Sequence, residues 1–214
     1  MVKLYARCEL PTQFGTFDLE VYRLGKGQDA RDEMLLISRG DLVAAPAPFV
    51  RLHSECFTGE TLLSLKCDCR AQLEVALTRI AEEGVGAVVY LRQEGRGIGL
   101  GNKIRAYAEQ AKGRDTVEAN LHLGFPADLR DYTAATEILL RKGIRRVRLN
   151  TNNPDKIAAV KEAGIEIVEV IPAVSRVTVH NLEYLKTKME KMGHDGLSES
   201  VGIVENQETA ASPS

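Results

Sequence analysis

Helix patterns and strand patterns alternate between residues 73 and 171, and this alternation restricts the possible folds more than any other feature of the chain. The first helix pattern has one apolar face and ends before Gly84, a residue type that commonly follows a helix. That face consists of Leu73, Ala76, Leu77, Ile80 and Ala81. Further helix patterns cover 102–112, 133–142 and 154–163, and strand patterns cover 87–91, 144–149 and 165–171. Such alternation predicts βαβ units.

Short strand patterns fill the N-terminal part of the chain, at 3–10, 16–22, 34–38 and 49–53. Within 16–22, Phe17, Leu19 and Val21 alternate with polar residues that include Glu20, which predicts one buried and one solvated face. The predicted fold class is therefore α/β, with mixed β-sheets and flanking helices, a strand-rich N-terminal part and βαβ units in the C-terminal part. We expect one domain over residues 1–194, closed by a helix at 181–192, and a flexible C-terminal tail over 195–214.

Composition narrows the classes of function. The chain is 44% hydrophobic and 27% charged with a net charge of −2, whereas a general nucleic-acid binder is usually basic. No apolar run approaches the roughly 20 residues of a membrane helix, and the N-terminus lacks the apolar core of a signal peptide. We therefore expect a cytoplasmic protein that binds neither nucleic acid nor membrane.

The strongest chemical signal is a set of three cysteines, Cys56, Cys67 and Cys69. Thiolates are preferred zinc ligands, and three of them leave a fourth position open for water, as in catalytic zinc sites. Two alternatives remain open at this stage. The cysteines are also compatible with simple burial in a core, and Cys8 is a candidate fourth ligand that would close the site.

A competing metal-site hypothesis comes from His53-Ser54-Glu55, which matches the H-x-E element of zinc nucleobase deaminases. Those enzymes also carry P-C-x-x-C, whereas this chain has Cys67-Asp68-Cys69 with no preceding proline. A deaminase would also leave Cys56 unexplained. The alternative for His53 is a packed, hydrogen-bonded histidine.

Two strand-to-helix crossings carry the residues expected of an anion site. The first is the glycine-rich segment 93–101, where Arg96 adds a phosphate donor, although a simple turn is an alternative. Lys103 and Tyr107 follow four residues apart on one helical face. The alternatives to a site role are a solvated face for Lys103 and a half-buried ring packed on the core for Tyr107. At the second crossing, Thr151 and Lys156 lie near the start of the helix that Asn153 and Pro154 open.

These segments together resemble the GTP cyclohydrolase II family over roughly residues 4–194. The matching stretches are 51–56, 67–69 with Gln72, 92–107, 115–120, 124–132, 151–154, 184–185 and 191–194. The resemblance implies a zinc ion on Cys56, Cys67 and Cys69, whose water attacks C8 of guanine. It also implies three catalytic residues: Tyr107 near the reacting ring, Arg130 as nucleophile at the α-phosphate, and Asp128 as its proton acceptor. The implied GTP contacts are Arg51, Leu52, His53, Ser54, Glu55, Gln72, Glu94, Gly95, Arg96, Thr116, Thr151 and Lys156.

The activity implied by the resemblance is a hydrolysis of cyclic amidine C–N bonds in the first step of riboflavin synthesis. GTP would lose formate and, with Mg²⁺, pyrophosphate, and become 2,5-diamino-6-(5-phosphoribosylamino)pyrimidin-4-one. One zinc per subunit and a homodimer are also implied. Two alternatives are a relative that stops at the ring-opened formamide and a non-catalytic, zinc-stabilised nucleotide-binding protein. An electrostatic role for Arg130 competes with the nucleophile, because an arginine has a pKa above about 12.

Overall fold

The computed structural model describes residues 1–25, 32–126, 128–173, 181 and 184–187. One seven-stranded sheet has the order β1-β2-β3-β5-β4-β6-β7. Its strands are β1 (Val2–Thr12), β2 (Gly15–Leu24), β3 (Glu33–Arg39), β4 (Phe49–Ser54), β5 (Gly86–Leu91), β6 (Arg146–Asn150) and β7 (Glu166–Ile171). The pairs from β1 through β3 to β5 are antiparallel, and those joining β5, β4, β6 and β7 are parallel. The sheet is mixed, which confirms the predicted α/β class.

Six helices accompany the strands within the described residues up to 173. They are α1 (Phe57–Glu60), α2 (Cys69–Glu83), α3 (Gly99–Gln110), α4 (Thr116–His122), α5 (Thr133–Arg141) and α6 (Pro154–Glu162). A 3₁₀ turn covers Glu94–Gly97. None of these helices combines the length and apolarity needed to cross a membrane.

The chain divides into two compact units. Unit 1 comprises Met1–Glu55, Leu73–Gln93 and Arg130–Pro172, and therefore contains all seven strands. Unit 2 comprises Cys56–Gln72, Glu94–Leu129 and the chain from Ala173 onward. Residues 195–214, predicted as a flexible tail, lie outside the described residues, and the single catalytic domain over 1–194 stays a prediction.

Unit 1 has an apolar cluster on each face of its sheet. Adjacent residues of a strand point to opposite faces, and in β5 Val88 belongs to one cluster and Val89 to the other. The Val88 cluster includes the α2 residues Ala76, Leu77 and Ile80, so the predicted apolar face of this helix is confirmed in its central residues. The Val89 cluster includes Ala135, Ile138 and Leu139 of α5 and Val160 of α6. Helices therefore flank both faces of the sheet.

The predicted alternation in β2 holds at Phe17 and Asp18 and is wrong from Glu20 onward. Phe17 is buried as expected, but Glu20 is buried as well, at 7% exposure, and so is Tyr22. Tyr22 donates a hydrogen bond of 2.6 Å to Glu20, and Lys142 lies 2.9 Å from the other carboxylate oxygen. Burial would raise the pKa of Glu20, but these contacts outweigh it and lower the pKa below the ordinary value. Because both faces of the sheet are covered, a one-face pattern does not apply to this strand.

The helix ends follow their local sequence signals. α2 ends before Gly84, which has a φ of +74°. At the start of α6, the Asn153 side chain accepts a hydrogen bond of 2.8 Å from the backbone of Asp155. The helix predicted at 102–112 begins earlier, at Gly99, and α1 and α4 were not predicted. Of the helix predicted at 181–192, only 181 and 184–187 lie among the described residues, and 184–187 are helical.

Candidate functional site

Unit 2 brings the three predicted metal ligands together. Cys56 immediately precedes α1, Cys67 lies in the turn before α2, and Cys69 is the first residue of α2. The three sulfur atoms lie within 4.8 Å of one another, and those of Cys56 and Cys67 are 3.5 Å apart. Zinc–sulfur bonds of about 2.3 Å place tetrahedral sulfurs about 3.8 Å apart. The three cysteines therefore fit a zinc ion bound by thiolates.

The backbone of α1 approaches these sulfurs closely at Gly59. A Cβ atom at this position would lie 2.9 Å from the sulfur of Cys67 and 3.2 Å from that of Cys56. Only glycine allows the helix to pass so near the thiolates without displacing them. Cys8 is exposed on β1 and does not belong to the metal-capable group found among the described residues.

A lysine and a glutamate border the cysteine cluster. The ammonium of Lys103 donates to the sulfur of Cys56 at 3.1 Å and to Glu94 at 2.8 Å. The side chains of Lys103 and Glu94 are only 12% and 9% exposed. Glu94 also accepts hydrogen bonds from the backbone N–H groups of Phe57, at 2.6 Å, and Gly95, at 2.7 Å. The alternative of a solvated face for Lys103 does not hold, because its ammonium is directed at the Cys56 sulfur and a buried carboxylate.

The charges around the cluster favour a thiolate at Cys56. Hydrogen bonds from the Cys67 and Cys69 thiols, with the nearby charge of Lys103, hold the pKa of Cys56 far below its ordinary value. The pKa of Cys67 rises to about 11, mainly because its thiol donates to Cys56. Burial works to lower the pKa of Lys103, but the Cys56 charge and Glu94 outweigh it and raise the pKa.

Tyr107 lies beside the same cluster. Its hydroxyl is 3.5 Å from the Thr58 hydroxyl, which is itself 3.7 Å from the sulfur of Cys56. The ammonium groups of Lys66 and Lys103 lie 5.2 and 5.7 Å from the centre of the ring. Burial raises the pKa of Tyr107, so the phenol stays protonated at neutral pH. The ring is half-buried.

The glycine-rich segment adopts left-handed backbone conformations at Gly95, Arg96 and Gly97, with φ of +62°, +60° and +89°. Arg96 is a rare non-glycine residue in this region, which costs on the order of 1 kcal/mol. Its carbonyl accepts a hydrogen bond of 3.0 Å from the backbone of Leu129. Both terminal nitrogens of Arg96 are buried, and neither has a hydrogen-bond partner among the described residues. Buried guanidinium nitrogens without a hydrogen-bond partner among the described residues are a feature that a bound anion would explain.

In unit 1, the predicted residues of β4 form a buried polar network with β6 and α6. The Arg51 guanidinium donates to His53 Nδ1 at 3.2 Å and to Asn150 at 2.9 Å. Lys156 donates to the carbonyl of Leu52 at 2.7 Å. Arg51, His53 and Lys156 are all at most 7% exposed, so burial holds two cationic side chains at the end of a parallel strand.

His53 is a packed histidine in this network. Its ring stacks on Tyr90 with 5.6 Å between centroids. Among the described residues, it does not belong to the group that surrounds the candidate metal site. This placement removes the support for the deaminase hypothesis.

The remaining predicted residues are dispersed along both units. In unit 1, the buried Ser54 hydroxyl has no hydrogen-bond partner among the described residues, and Glu55 forms an ion pair with Arg92 at 3.5 Å. The Thr151 hydroxyl accepts a hydrogen bond of 3.0 Å from the backbone N–H of Asn153. Arg130, also in unit 1, has its guanidinium 5.9 Å from the Tyr132 ring centre. In unit 2, Gln72 donates to Asp68 at 2.6 Å, Thr116 is the first residue of α4, and Asp128 is half-buried.

Sequence reasoning missed Lys103 as a member of the site. The available signal was its spacing from Tyr107, because residues four apart share a helical face. A face that carries a site tyrosine is directed at the site, so the lysine on it had to be directed there as well. Gly59 and Thr58 gave no such signal, since α1 has only four residues and no periodic pattern.

The fold and this cluster define a mixed α/β protein with a candidate three-cysteine metal centre. The family model described as GTP cyclohydrolase II matches residues 3–172, and the chain belongs to that family. The resemblance stated from the sequence motifs is thereby confirmed.

Curated relatives agree with this assignment. The chain is 51% identical over 186 residues to the GTP cyclohydrolase-2 of Teredinibacter turnerae, covering 87% of this chain and 92% of the relative. It is 48% identical over 194 residues to the GTP cyclohydrolase-2 of Neisseria meningitidis serogroup C, covering 91% and 96%. It is also 52% identical over 193 residues to the riboflavin biosynthesis protein RibBA of Synechocystis, covering 87% of this chain but only 34% of that longer protein.

Proposed function

We propose that this chain is a zinc-dependent GTP cyclohydrolase II in riboflavin synthesis. It would hydrolyse GTP to formate, pyrophosphate and 2,5-diamino-6-(5-phosphoribosylamino)pyrimidin-4-one, with Mg²⁺ accompanying the pyrophosphate. The observation that carries the proposal is the cluster of Cys56, Cys67 and Cys69 beside Tyr107, in a chain of this family. A cytoplasmic homodimer with one zinc per subunit belongs to the same proposal.

The three cysteines would hold the zinc ion. Zinc bound there would supply a Lewis acid that activates water for attack on C8 of the guanine. Around it, this chain provides a phenol that keeps its proton, Tyr107, and an ammonium group, Lys103. Tyr107 would orient the reacting ring and donate a proton as the ring opens. The presence of Tyr107 favours complete conversion of GTP, because the family resemblance implies that relatives without this tyrosine stop at the ring-opened formamide.

The polyanionic part of GTP needs cationic groups that are not already neutralised. The buried nitrogens of Arg96 meet this need, since none of the described residues hydrogen-bonds to them. In unit 1, Lys156 lies in the first turn of α6, and Thr151 precedes that helix. Arg51 through Ser54 form the end of β4, and Glu55 follows the strand directly. With Gln72, Glu94, Gly95 and Thr116, these residues are the proposed GTP contacts.

Arg130 and Asp128 are the proposed residues for release of pyrophosphate. A guanidinium remains protonated at neutral pH, and this favours charge stabilisation at the phosphates as its role. A nucleophilic role requires a covalent bond between arginine nitrogen and phosphorus. Acid-free mass spectrometry of the protein after rapid mixing with GTP separates the two roles, because only the nucleophilic role adds the mass of a guanylyl group.

The experiment that tests the function is product analysis after zinc-loaded protein is mixed with GTP and Mg²⁺. Mass spectrometry should detect formate, pyrophosphate and the diaminopyrimidinone in equal amounts. Tyr107→Phe should accumulate the formylated intermediate, whereas Tyr5→Phe, at an exposed position on β1, should behave as the wild type. An uncleaved formamide from the wild type would identify a ring-opening relative, and intact GTP with bound zinc would indicate a nucleotide-binding protein without turnover.

A further inference from the structure

We infer that Lys103 is a positioning residue that tunes the three-cysteine metal centre through the sulfur of Cys56. This inference rests on the zinc-binding part of the proposed function. Lys103 was assigned no role by the sequence motifs, yet its ammonium lies 3.1 Å from that sulfur. It acts on the chemistry without contacting the substrate.

The charge of the proposed centre explains why an ammonium is needed. Three thiolates around a divalent zinc ion leave one net negative charge, and strong sulfur donation weakens the ion as a Lewis acid. An N–H group that donates to a ligand sulfur withdraws electron density from it, as hydrogen bonds to metal-bound sulfur do in other centres. The hydrogen bond from Lys103 therefore restores part of the positive character that activation of water requires.

The surroundings hold Lys103 in that geometry. Glu94 accepts from the same ammonium at 2.8 Å and is itself fixed by the N–H groups of Phe57 and Gly95. Phe57 follows Cys56 directly, so the carboxylate ties the lysine to the segment that carries the sulfur. Both charged side chains are shielded from solvent, with 12% and 9% exposure, which strengthens their electrostatic effect.

The alternative roles of Lys103 predict different measurements. A lysine that binds the phosphates of GTP would raise KM when it is removed. A lysine that only stabilises the fold would change neither the electronic structure of the metal centre nor kcat once folding is intact. Tuning of the centre predicts a lower kcat with an unchanged KM and a changed spectrum of the bound metal.

The test replaces zinc with Co²⁺ in the full-length protein and records the sulfur-to-cobalt charge-transfer absorption. Lys103→Met removes the donor while keeping the length of the side chain, and should shift the band to lower energy. In the zinc enzyme it should lower kcat about 10- to 100-fold at constant KM, the usual range for residues that support metal ligands. Lys103→Arg, which keeps the charge and the donors, should restore most of the band position.

Two further variants serve as controls for general loss of charge and for misfolding. Arg105→Met removes an exposed cation from the same helix and should leave the band and kcat unchanged. Lys103→Met alone leaves the buried Glu94 carboxylate without its cation, which could prevent folding. The double variant Lys103→Met with Glu94→Gln removes both charges and should therefore fold, and its charge-transfer band should still shift.

Four results decide the question. An unshifted band in a folded Lys103→Met protein overturns the inference, as does a raised KM with unchanged kcat. A wild type that takes up neither Zn²⁺ nor Co²⁺ overturns both the inference and the proposed zinc site. A wild type that binds Co²⁺ through sulfur but does not convert GTP overturns the proposed function alone, and the band shift still decides the role of Lys103.

Discussion

The two units of the chain are stabilised in different ways. Both apolar clusters, with every strand of the sheet, belong to unit 1. Among the described residues of unit 2, the buried side chains are mostly small or polar, and include Thr58, Asp68, Glu94 and Asn120. Burial of apolar surface therefore stabilises unit 1. The stability of unit 2 depends more on polar contacts and on a metal ion bound by its three cysteines. Among the described residues, the candidate metal ligands therefore belong to the unit with fewer large, buried apolar side chains.

Removal of the metal is the strongest way to test this contrast. Thiolate zinc sites contribute on the order of 10 kcal/mol to the folding of small zinc peptides, so chelation should release much of unit 2. Hydrogen exchange followed by mass spectrometry should show lost protection in 56–72 and 94–126, with protection retained in β3 and β5. Cys8→Ser, at an exposed cysteine, should not change this pattern. Equal loss of protection in both units would refute the contrast.

A cavity in the core of unit 1 should give the opposite result. Leu139 is fully buried between α5 and the sheet, and Leu139→Ala should lower the free energy of unfolding by about 2–5 kcal/mol. Urea denaturation measures this loss, while elemental analysis should find the zinc content unchanged. Leu4→Ala, at a residue 50% exposed on β1, is the matched control and should stay within about 0.5 kcal/mol of the wild type.

Gly59→Ala tests the packing of the cysteine cluster without removing a ligand. The new methyl group would lie 2.9 Å from the sulfur of Cys67 and must displace it. Zinc affinity, measured by competition with a chromophoric chelator, should fall about tenfold or more. Gly101→Ala, where a Cβ atom meets nothing within 4 Å, should leave the affinity unchanged. Equal affinities in both variants would show that the sulfurs tolerate a displaced helix.

The smallest predicted effect concerns the buried carboxylate of β2. The folded-state pKa of Glu20 lies below its unfolded value, so its contribution is present above the unfolded pKa and is lost as pH falls through the folded pKa. Glu20→Gln should lower the free energy of unfolding by about 1–2 kcal/mol at pH 7. Urea denaturation should show the wild type and the variant converging as the solution is acidified below pH 4. A gap that persists there would assign the effect to packing.

The sequence predicted what depends on local chemistry. Helix α2 followed from one apolar face and Gly84, and the start of α6 from Asn153 and Pro154. The three cysteines were predicted as a group because thiolates have a specific partner chemistry. The short helix α4 was missed although Asp115 and Glu118 form a capping box, a readable signal at its first turn.

What depended on tertiary contacts was not predictable from the sequence. Burial of Glu20 required knowledge that Lys142, 122 residues away, would reach its carboxylate. The orientation of Lys103 required the position of Cys56, which lies 47 residues earlier. A charged side chain looks the same in a sequence whether it faces water or a buried partner, so long-range pairs decide such cases.

The eleven-residue strand β1 has a further consequence for behaviour at high concentration. It is the last strand on its side of the described sheet and is exposed on almost every residue, so its outer edge offers unpaired backbone groups to another chain. Lys3, Arg7 and Glu9 place charges along that edge, and Pro11 lacks an N–H group to donate. These residues oppose the stacking of copies into extended sheets. Their joint replacement by neutral β-formers would turn a strand that ends the sheet into a seed for aggregation.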